Sequence, residues 1–362
     1  MVDLLIYFFV FIGATFFLNY RQENDKAINV ANIIGLIVII VFAAGRYHVG
    51  TDTWTYMRIF RRFEEMNWQE FIHSIYGDYL FAAIAKTTFS LGGRVLTWGT
   101  FAALTAIPVY LTLRKDYPKI SISVAILIFL FSYYTTGFNV VRQMVAVAIT
   151  FYGLKFIFNN RFVPYLITIL IAFEIHSSAI IALPIWFLWD HKNDVPINGN
   201  KRFLIIAATA LVCAGYQTAI SIFTGGIDYY EQYSSYAVES THGQNRDIYV
   251  YGLELFLVLC YRKKLQFVDK RVTLLLDMLI ISFFIGLTGF YHPQIKRLAY
   301  YYAMPARLIL FGYLFAIFPN DKSREIVKIA TIIWFVAQFI LIAYILKQAD
   351  LIPYHFNLTK QW

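Results

Sequence analysis

Long apolar runs alternate along this chain with short clusters of charged and turn-forming residues. At 1.5 Å per residue, about 20 apolar residues in a helix cross the hydrocarbon of a bilayer. Runs approaching or reaching that length fall at 3–19, 27–44, 95–113, 120–137, 139–158, 162–175, 177–189, 203–223, 248–261, 272–290, 298–318 and 326–346. The pattern predicts an all-α fold. It is a polytopic integral membrane helical bundle of about 12 transmembrane helices, a single transmembrane domain over residues 1–362. No internal repeat or low-complexity stretch interrupts it.

One region does not fit the count. Residues 79–93, YLFAAIAKTTFSLGG, are apolar enough to pass for a crossing, but Lys86 lies in their middle, and a lysine facing lipid is costly. Between 54 and 72, Trp54, Phe60, Phe63, Trp68, Phe71 and Ile72 alternate with Arg58, Arg61, Arg62, Glu64 and Glu65. That mixture suits helices lying in the membrane interface. Residues 54–93 therefore read as periplasmic interfacial helices in the first large outer loop. Counting 79–93 as a crossing would instead move Asp52 to the cytoplasmic side.

Composition agrees with the membrane reading: 59% of residues are hydrophobic, 19% aromatic and only 15% charged, outside the range of soluble domains. The formal net charge of +9 follows loop topology, since no basic patch stands apart from the apolar segments, and this argues against nucleic-acid binding. Arg114-Lys115, Lys201-Arg202, Arg262-Lys263-Lys264, Lys270-Arg271 and Lys322…Arg324 mark cytoplasmic loops. With alternating helices, both termini, Arg142, His176, the 224–247 loop and 292–297 then share the outer face. The acidic start and the absence of a small-residue cleavage site predict a retained first helix. Cys213 and Cys260 lie in apolar runs and suggest neither a disulfide nor a metal site.

Residues able to do chemistry gather where apolar runs end. Arg142 sits between two of them, and an arginine there needs a wet cavity or a partner. Asn139, Arg142 and Gln143 are spaced i, i+3, i+4 and share a helix face. Arginine keeps its charge and binds phosphate bidentately. After the second run, Arg46-Tyr47-His48-Val49-Gly50-Thr51-Asp52 forms a loop in which Gly50 permits a tight turn. There Asp52 either caps the next helix or, with Arg46 and His48, faces a polar substrate. His176 ends another run and suits a general base, a hydrogen-bond donor or a helix cap. Near the end, Arg297, Tyr301, Met304 and Arg307 track one side of a helix. Arg307 lies on the order of 15 Å further along than Arg297, and its depth calls for a partner such as Glu254 or Asp277. Tyr229, Tyr230, Tyr233 and Tyr236 in the 224–247 loop suit sugar stacking or an interfacial aromatic belt.

Taken in order, Gly50-Thr51-Asp52…Tyr56, Asn139…Arg142-Gln143…Ala146, Ile175-His176-Ser177 and Arg297…Tyr301 resemble the EpsG family, bacterial polysaccharide polymerases of the Wzy type acting on O-antigen, capsule or exopolysaccharide. The resemblance implies a glycosyltransferase of the bacterial inner membrane, working at its periplasmic face without a metal or other cofactor. It would move a growing glycan from undecaprenyl diphosphate to the non-reducing end of a lipid-linked repeat unit. Its partners would be that lipid-linked oligosaccharide, membrane lipid and a chain-length regulator. By the same likeness Arg142 and Arg297, with Arg46, would bind the diphosphate. Asp52 or His176 would deprotonate the acceptor hydroxyl, and Tyr56, Asn139, Gln143, His292 and Tyr301 would contact the glycan. A flippase for the same lipid-linked oligosaccharide and an O-antigen ligase-like transferase are the competing functions. The concentration of basic candidates near one face favours surface chemistry over a translocation path.

Overall fold

Helices form where the apolar runs predict them. The computed structural model describes residues 2–20, 28–75, 77–117, 119–215, 247–288 and 296–359. Among them, five helices are long and apolar enough to cross a membrane: Val2–Asn19, Tyr79–Asp116, Val141–Phe158, Arg297–Ile317 and Asp321–Ile345. Six shorter apolar helices occupy the runs that begin near 27, 120, 162, 177, 248 and 272. The 203–223 run is described only through residue 215. Phe9, Phe16, Leu211, Phe256 and Ile333 are each more than half exposed on the outside of the bundle. An apolar girdle of this kind suits lipid rather than water.

Helix α1 (Val2–Asn19) turns back into α2 (Val30–Ala44). The joint is closed by a capping box in which the Asn29 side chain accepts from the Asn32 amide at 3.0 Å and Asn32 returns the bond at 3.2 Å. The Asn32 side chain also donates to the carbonyls of Phe17 and Tyr20, both at 3.0 Å, which satisfies carbonyls left open at the end of α1. The amphipathic stretch forms α3 (Thr53–Glu65) and α4 (Trp68–Ser74), with the apolar side of α3 (Tyr56, Met57, Phe60) buried.

The segment in dispute, 79–93, belongs to α5 (Tyr79–Asp116), whose helical path breaks at Gly93 (φ 61°, ψ −152°). In an unbroken helix Phe81 and Phe101 would lie about 30 Å apart. Here their rings stack at 4.9 Å, and the hydroxyls of Thr88 and Thr97 meet at 3.1 Å. The first arm of α5 therefore folds back along the second in a helical hairpin, as only glycine readily allows at that backbone angle. Lys86 is buried on this arm and donates to the carbonyls of Phe63 (2.6 Å) and Met66 (2.5 Å), tying the arm to α3 and α4. Residues 54–75 and 77–92 thus pack as one unit against the second arm of α5.

The rest comprises α6 (Ile122–Ile128, continued by a π-helical stretch to Tyr134), α7 (Val141–Phe158), α8 (Phe162–Ile175), the 3-10 helix Ser177–Leu188, and α9 (Gly199–Ala214). Then follow α10 (Asp247–Cys260), α11 (Arg262–Val268), α12 (Val272–Thr288), α13 (Tyr300–Tyr313, preceded by a 3-10 turn at Arg297–Ala299) and α14 (Asp321–Phe339). Two antiparallel ladders of two residues complete it. β1 (Arg46–Tyr47) pairs with β4 (His355–Phe356), and β2 (Trp189–Asp190) pairs with β3 (Val195–Pro196).

The bundle has two chemically distinct ends. At one, the chain termini meet: Tyr7 donates its hydroxyl to the Leu351 carbonyl at 2.8 Å, and the Tyr354 amide donates to Asp3 Oδ1 at 3.2 Å. At the other, residues from the basic loops converge. Arg114 donates to the Tyr20 carbonyl at 3.1 Å, Lys119 to Val268 at 3.4 Å, and Arg271 to both Asp269 (2.5 Å) and the Asp116 carbonyl (2.8 Å). Lys270 pairs with Asp194 nearby.

Between the ends, Arg307 lies in the core. Its guanidinium grips Glu254 with two 2.7 Å bonds and donates to Tyr133 and Gln338 at 3.0 Å. Trp334 (2.9 Å) and Gln338 (3.0 Å) also donate to Glu254. Of the two expected partners the chain uses Glu254, while Asp277 lies 3.4 Å from Arg202.

Candidate functional site

The polar groups at the end that holds the chain termini meet around one carboxylate, Asp78. It stands at the N-cap position of α5 in a left-handed conformation (φ 51°, ψ 39°), and its side chain makes no capping bond. It turns instead toward two other helices. Arg142, in the first turn of α7, donates from Nη1 to Asp78 Oδ2 at 2.8 Å. His176, which ends α8, places Nδ1 3.4 Å from the same oxygen, and the Ser177 amide donates to Oδ1 at 3.0 Å. The Arg142 guanidinium also lies 5.5 Å from the centre of the Phe81 ring. Side-chain exposure is 23% for Arg142 and 25% for His176 against 10% for Asp78, so the cation and the imidazole reach solvent while the carboxylate sits behind them. Burial alone would raise the Asp78 carboxyl. The hydrogen bond and charge of His176, the charge of Arg142 and the Ser177 amide outweigh it and hold the group below its usual value.

A second set of bonds brings the last candidate helix alongside. Gln143 donates from Nε2 to the Arg297 carbonyl at 2.9 Å, and the hydroxyls of Ser178 and Tyr301 lie 2.9 Å apart. Arg297 thus neighbours α7 through its backbone, and among the described residues its guanidinium has no ion-pair partner. Gln143 and Tyr301 are buried, so their polar atoms serve protein contacts.

The loop after α2 forms the third wall. Gly50 has φ +101°, and a Cβ there would come within 2.8 Å of Asn139 Oδ1 and 2.9 Å of the Phe138 carbonyl, so glycine is required twice over. Thr51 Oγ1 lies 3.1 Å from both Asn139 Oδ1 and Asp52 Oδ1, and Asn139 donates to the Ala349 carbonyl at 3.1 Å. Asp52 takes the N-cap position of α3 without a side-chain capping bond, so of the two sequence readings capping does not occupy its carboxylate. His48 (φ 56°) packs its ring against Tyr47 and Trp54; burial, His355 and Arg94 lower its pKa.

Arg46 and Tyr56 are both buried. Arg46 is only 3% exposed, with its guanidinium 4.0 Å from the Trp98 ring centre and 4.5 Å from that of Phe138, beside a cavity of about 20 Å³ also lined by Thr105 and Tyr134. Tyr56 is buried against Phe60, Phe81 and Trp98. Both lie inside the wall under the loop. His292 and the 224–247 loop, apart from Asp247, lie outside the described residues.

Two residues escaped sequence reasoning. Gly77-Asp78 ahead of an apolar helix reads as an ordinary N-cap, and only the left-handed turn aims the carboxylate elsewhere. Arg94 is fully buried and donates to the carbonyls of Arg46 (2.5 Å) and Asn357 (2.7 Å), pinning the C-terminal strand to the loop after α2.

A sequence model of the EpsG family matches residues 28–356, nearly the whole chain and every wall of this site. No curated protein and no solved structure matches.

Proposed function

Since this chain belongs to the EpsG family, a family of Wzy-type polysaccharide polymerases, we propose that it polymerises a bacterial glycan at the periplasmic face of the inner membrane. In this reading the chain crosses the bilayer about twelve times. The placement of Arg114, bonded to the Tyr20 carbonyl, and Arg271, bonded to the Asp116 carbonyl, at the end opposite Asp78 supports a periplasmic site, because basic loops stay in the cytoplasm. The donor is an undecaprenyl-diphosphate-linked glycan and the acceptor a lipid-linked repeat unit, with a chain-length regulator as a further partner.

The observation that carries this reading is the convergence of Arg142, His176 and, through Gln143, Arg297 at one end of the bundle. Arg142 and Arg297 hold the diphosphate and take up the negative charge that grows on it as the anomeric C–O bond breaks. The acceptor hydroxyl forms the new glycosidic bond and gives its proton to Asp52 or His176. The lipid diphosphate leaves with the electron pair of the broken bond. The paired arginines do the electrostatic work of a divalent cation, so the reaction is metal-independent. Asn139 and His292 contact the glycan. Gln143, Tyr301 and Tyr56 shape the pocket from behind, and we give Arg46 that supporting part too, because its charge is spent on Trp98 and Phe138.

Purified protein incubated with an undecaprenyl-diphosphate-linked repeat unit tests the reading. A ladder of lengthened glycans on lipid supports polymerisation. Recovery of unextended repeats alone, or their movement across a vesicle membrane without a new glycosidic bond, counts against it and for a flippase.

A further inference from the structure

The placement of Asp78 is not explained by helix capping, by lipid packing or by the arginine clamp alone. A carboxylate wanted only to neutralise Arg142 has no need of the His176 imidazole at the same oxygen and of the Ser177 amide at the other. A carboxylate wanted only as a cap would bond the first turn of α5, and this one does not. Its backbone adopts a left-handed conformation uncommon for a non-glycine residue, which is the turn that points the side chain between α7 and the end of α8.

We infer that Asp78 is the positioning residue of the transfer, holding the Nδ1 side of His176 so that its Nε2 faces the acceptor and His176, not Asp52, is the base. The inference rests on the polymerase reading. When Nδ1 carries the proton and donates to Asp78 Oδ2, the Nε2 lone pair is left to accept the proton of the acceptor hydroxyl. The oxygen so freed attacks the anomeric carbon, the bond from that carbon to the diphosphate breaks, and the lipid diphosphate leaves with the electron pair. The proton remains on His176 as imidazolium, stabilised by Asp78, until solvent removes it. Arg142 shares Oδ2, so Asp78 also fixes the distance between the base and the diphosphate cation. The 3.4 Å separation is at the long end of hydrogen-bond reach. Among the described residues Asp52 lacks such an arrangement, and its side-chain hydrogen bond there is with the neighbouring Thr51 hydroxyl.

The groups facing the imidazole are Asp78 from the start of α5 and Arg142 from α7, with Glu174 on its own helix and Tyr301 of α13 reaching the adjacent Ser178. The test is Asp78→Asn in the full-length purified protein. It keeps the shape and an acceptor for the Ser177 amide, but it removes the charge and sets an N–H against Nδ1. Turnover of undecaprenyl-diphosphate-linked repeats should fall at least ~100-fold in kcat, with KM within about threefold, as expected for a mis-set tautomer. Asp78→Glu should recover part of the rate. The nitrogen chemical shifts of the His176 imidazole, assigned by their loss in His176→Gln, should report the proton on Nδ1 in the wild type and on Nε2 in Asp78→Asn, whatever the activity. A normal kcat in Asp78→Asn, a change confined to KM, or an unchanged His176 tautomer overturns the inference. If the wild type makes no ladder while the tautomer still switches between the two proteins, the polymerase reading fails and the Asp78–His176 coupling stands.

Discussion

Gln143 donates its side-chain amide to the backbone carbonyl of Arg297 across 2.9 Å, joining positions 154 residues apart in sequence. Each partner adjoins an essential piece of the account: Arg142 precedes Gln143 in the first turn of α7, and Arg297 opens the helical segment that leads into α13. Two helix starts therefore sit side by side, and their dipoles add to the two guanidinium charges. Removing the bond as Gln143→Ala should loosen Arg297 without removing any charge. Polymer yield is expected to fall about fivefold, the worth of one hydrogen bond, at an unchanged amount of protein in the membrane. An unaltered ladder would show that the two helix starts are held in place by other means.

The Arg307–Glu254 pair should govern stability rather than chemistry. Both groups are buried, and they carry bonds to Tyr133, Trp334 and Gln338. Glu254→Ala strands a buried cation, at a cost of about 3–5 kcal/mol. Thermal unfolding of the detergent-solubilised protein should shift sharply downward, and the double change Glu254→Leu with Arg307→Met should recover much of the loss. A single variant as stable as the wild type contradicts the network.

Asp78 gives a stability dependence on pH with a definite sign. Its folded pKa lies below the usual 3.8, so the carboxylate is favoured in the folded state. The resulting stabilisation is fully present above that usual value and is lost as pH falls through the lower folded one. The unfolding midpoint of the wild type should exceed that of Asp78→Asn at pH about 4 and above, and the gap should shrink as pH falls below it. A gap that widens below about pH 4 contradicts the assignment.

The proposed outward position of 54–75 and 77–92 can be probed from outside the cell. Thr55 is exposed on α3, close to Asp52. In a background with Cys213 and Cys260 replaced, Thr55→Cys should react with an impermeant thiol reagent on intact cells. Labelling only after lysis would place Asp52, and with it the loop after α2, on the cytoplasmic side.

Much of this architecture was legible in the chain. Apolar run length alone placed the helices because a helix in lipid must satisfy its own backbone, which leaves hydropathy little ambiguity. Arg307 betrayed its need for a buried acidic partner through depth, and of Glu254 and Asp277 the structure selects Glu254. The candidate site was legible only in part. Arg142, His176 and Arg297 announced themselves as polar residues at the ends of apolar runs. Arg46 looked the same in sequence yet is stacked on Trp98 and Phe138, because a guanidinium is satisfied as well by ring faces as by phosphate. Asp78 was hidden for the opposite reason. Its meaning lies in a left-handed turn and a hairpin at Gly93, and neither a hydropathy run nor a charge count records which way a carboxylate turns.

The central claim is that Arg142 and Arg297 grip one lipid diphosphate together, and affinity measures this most directly. Undecaprenyl diphosphate should be titrated into the solubilised wild type, Arg142→Ala, Arg297→Ala and the double variant. Each single change is expected to weaken binding about 10-fold or more, the loss of a charge-assisted hydrogen bond, and the double change should lose less than the two effects added because the pair acts on one group. Wild-type affinity in both single variants, or fully additive losses, would contradict a shared site.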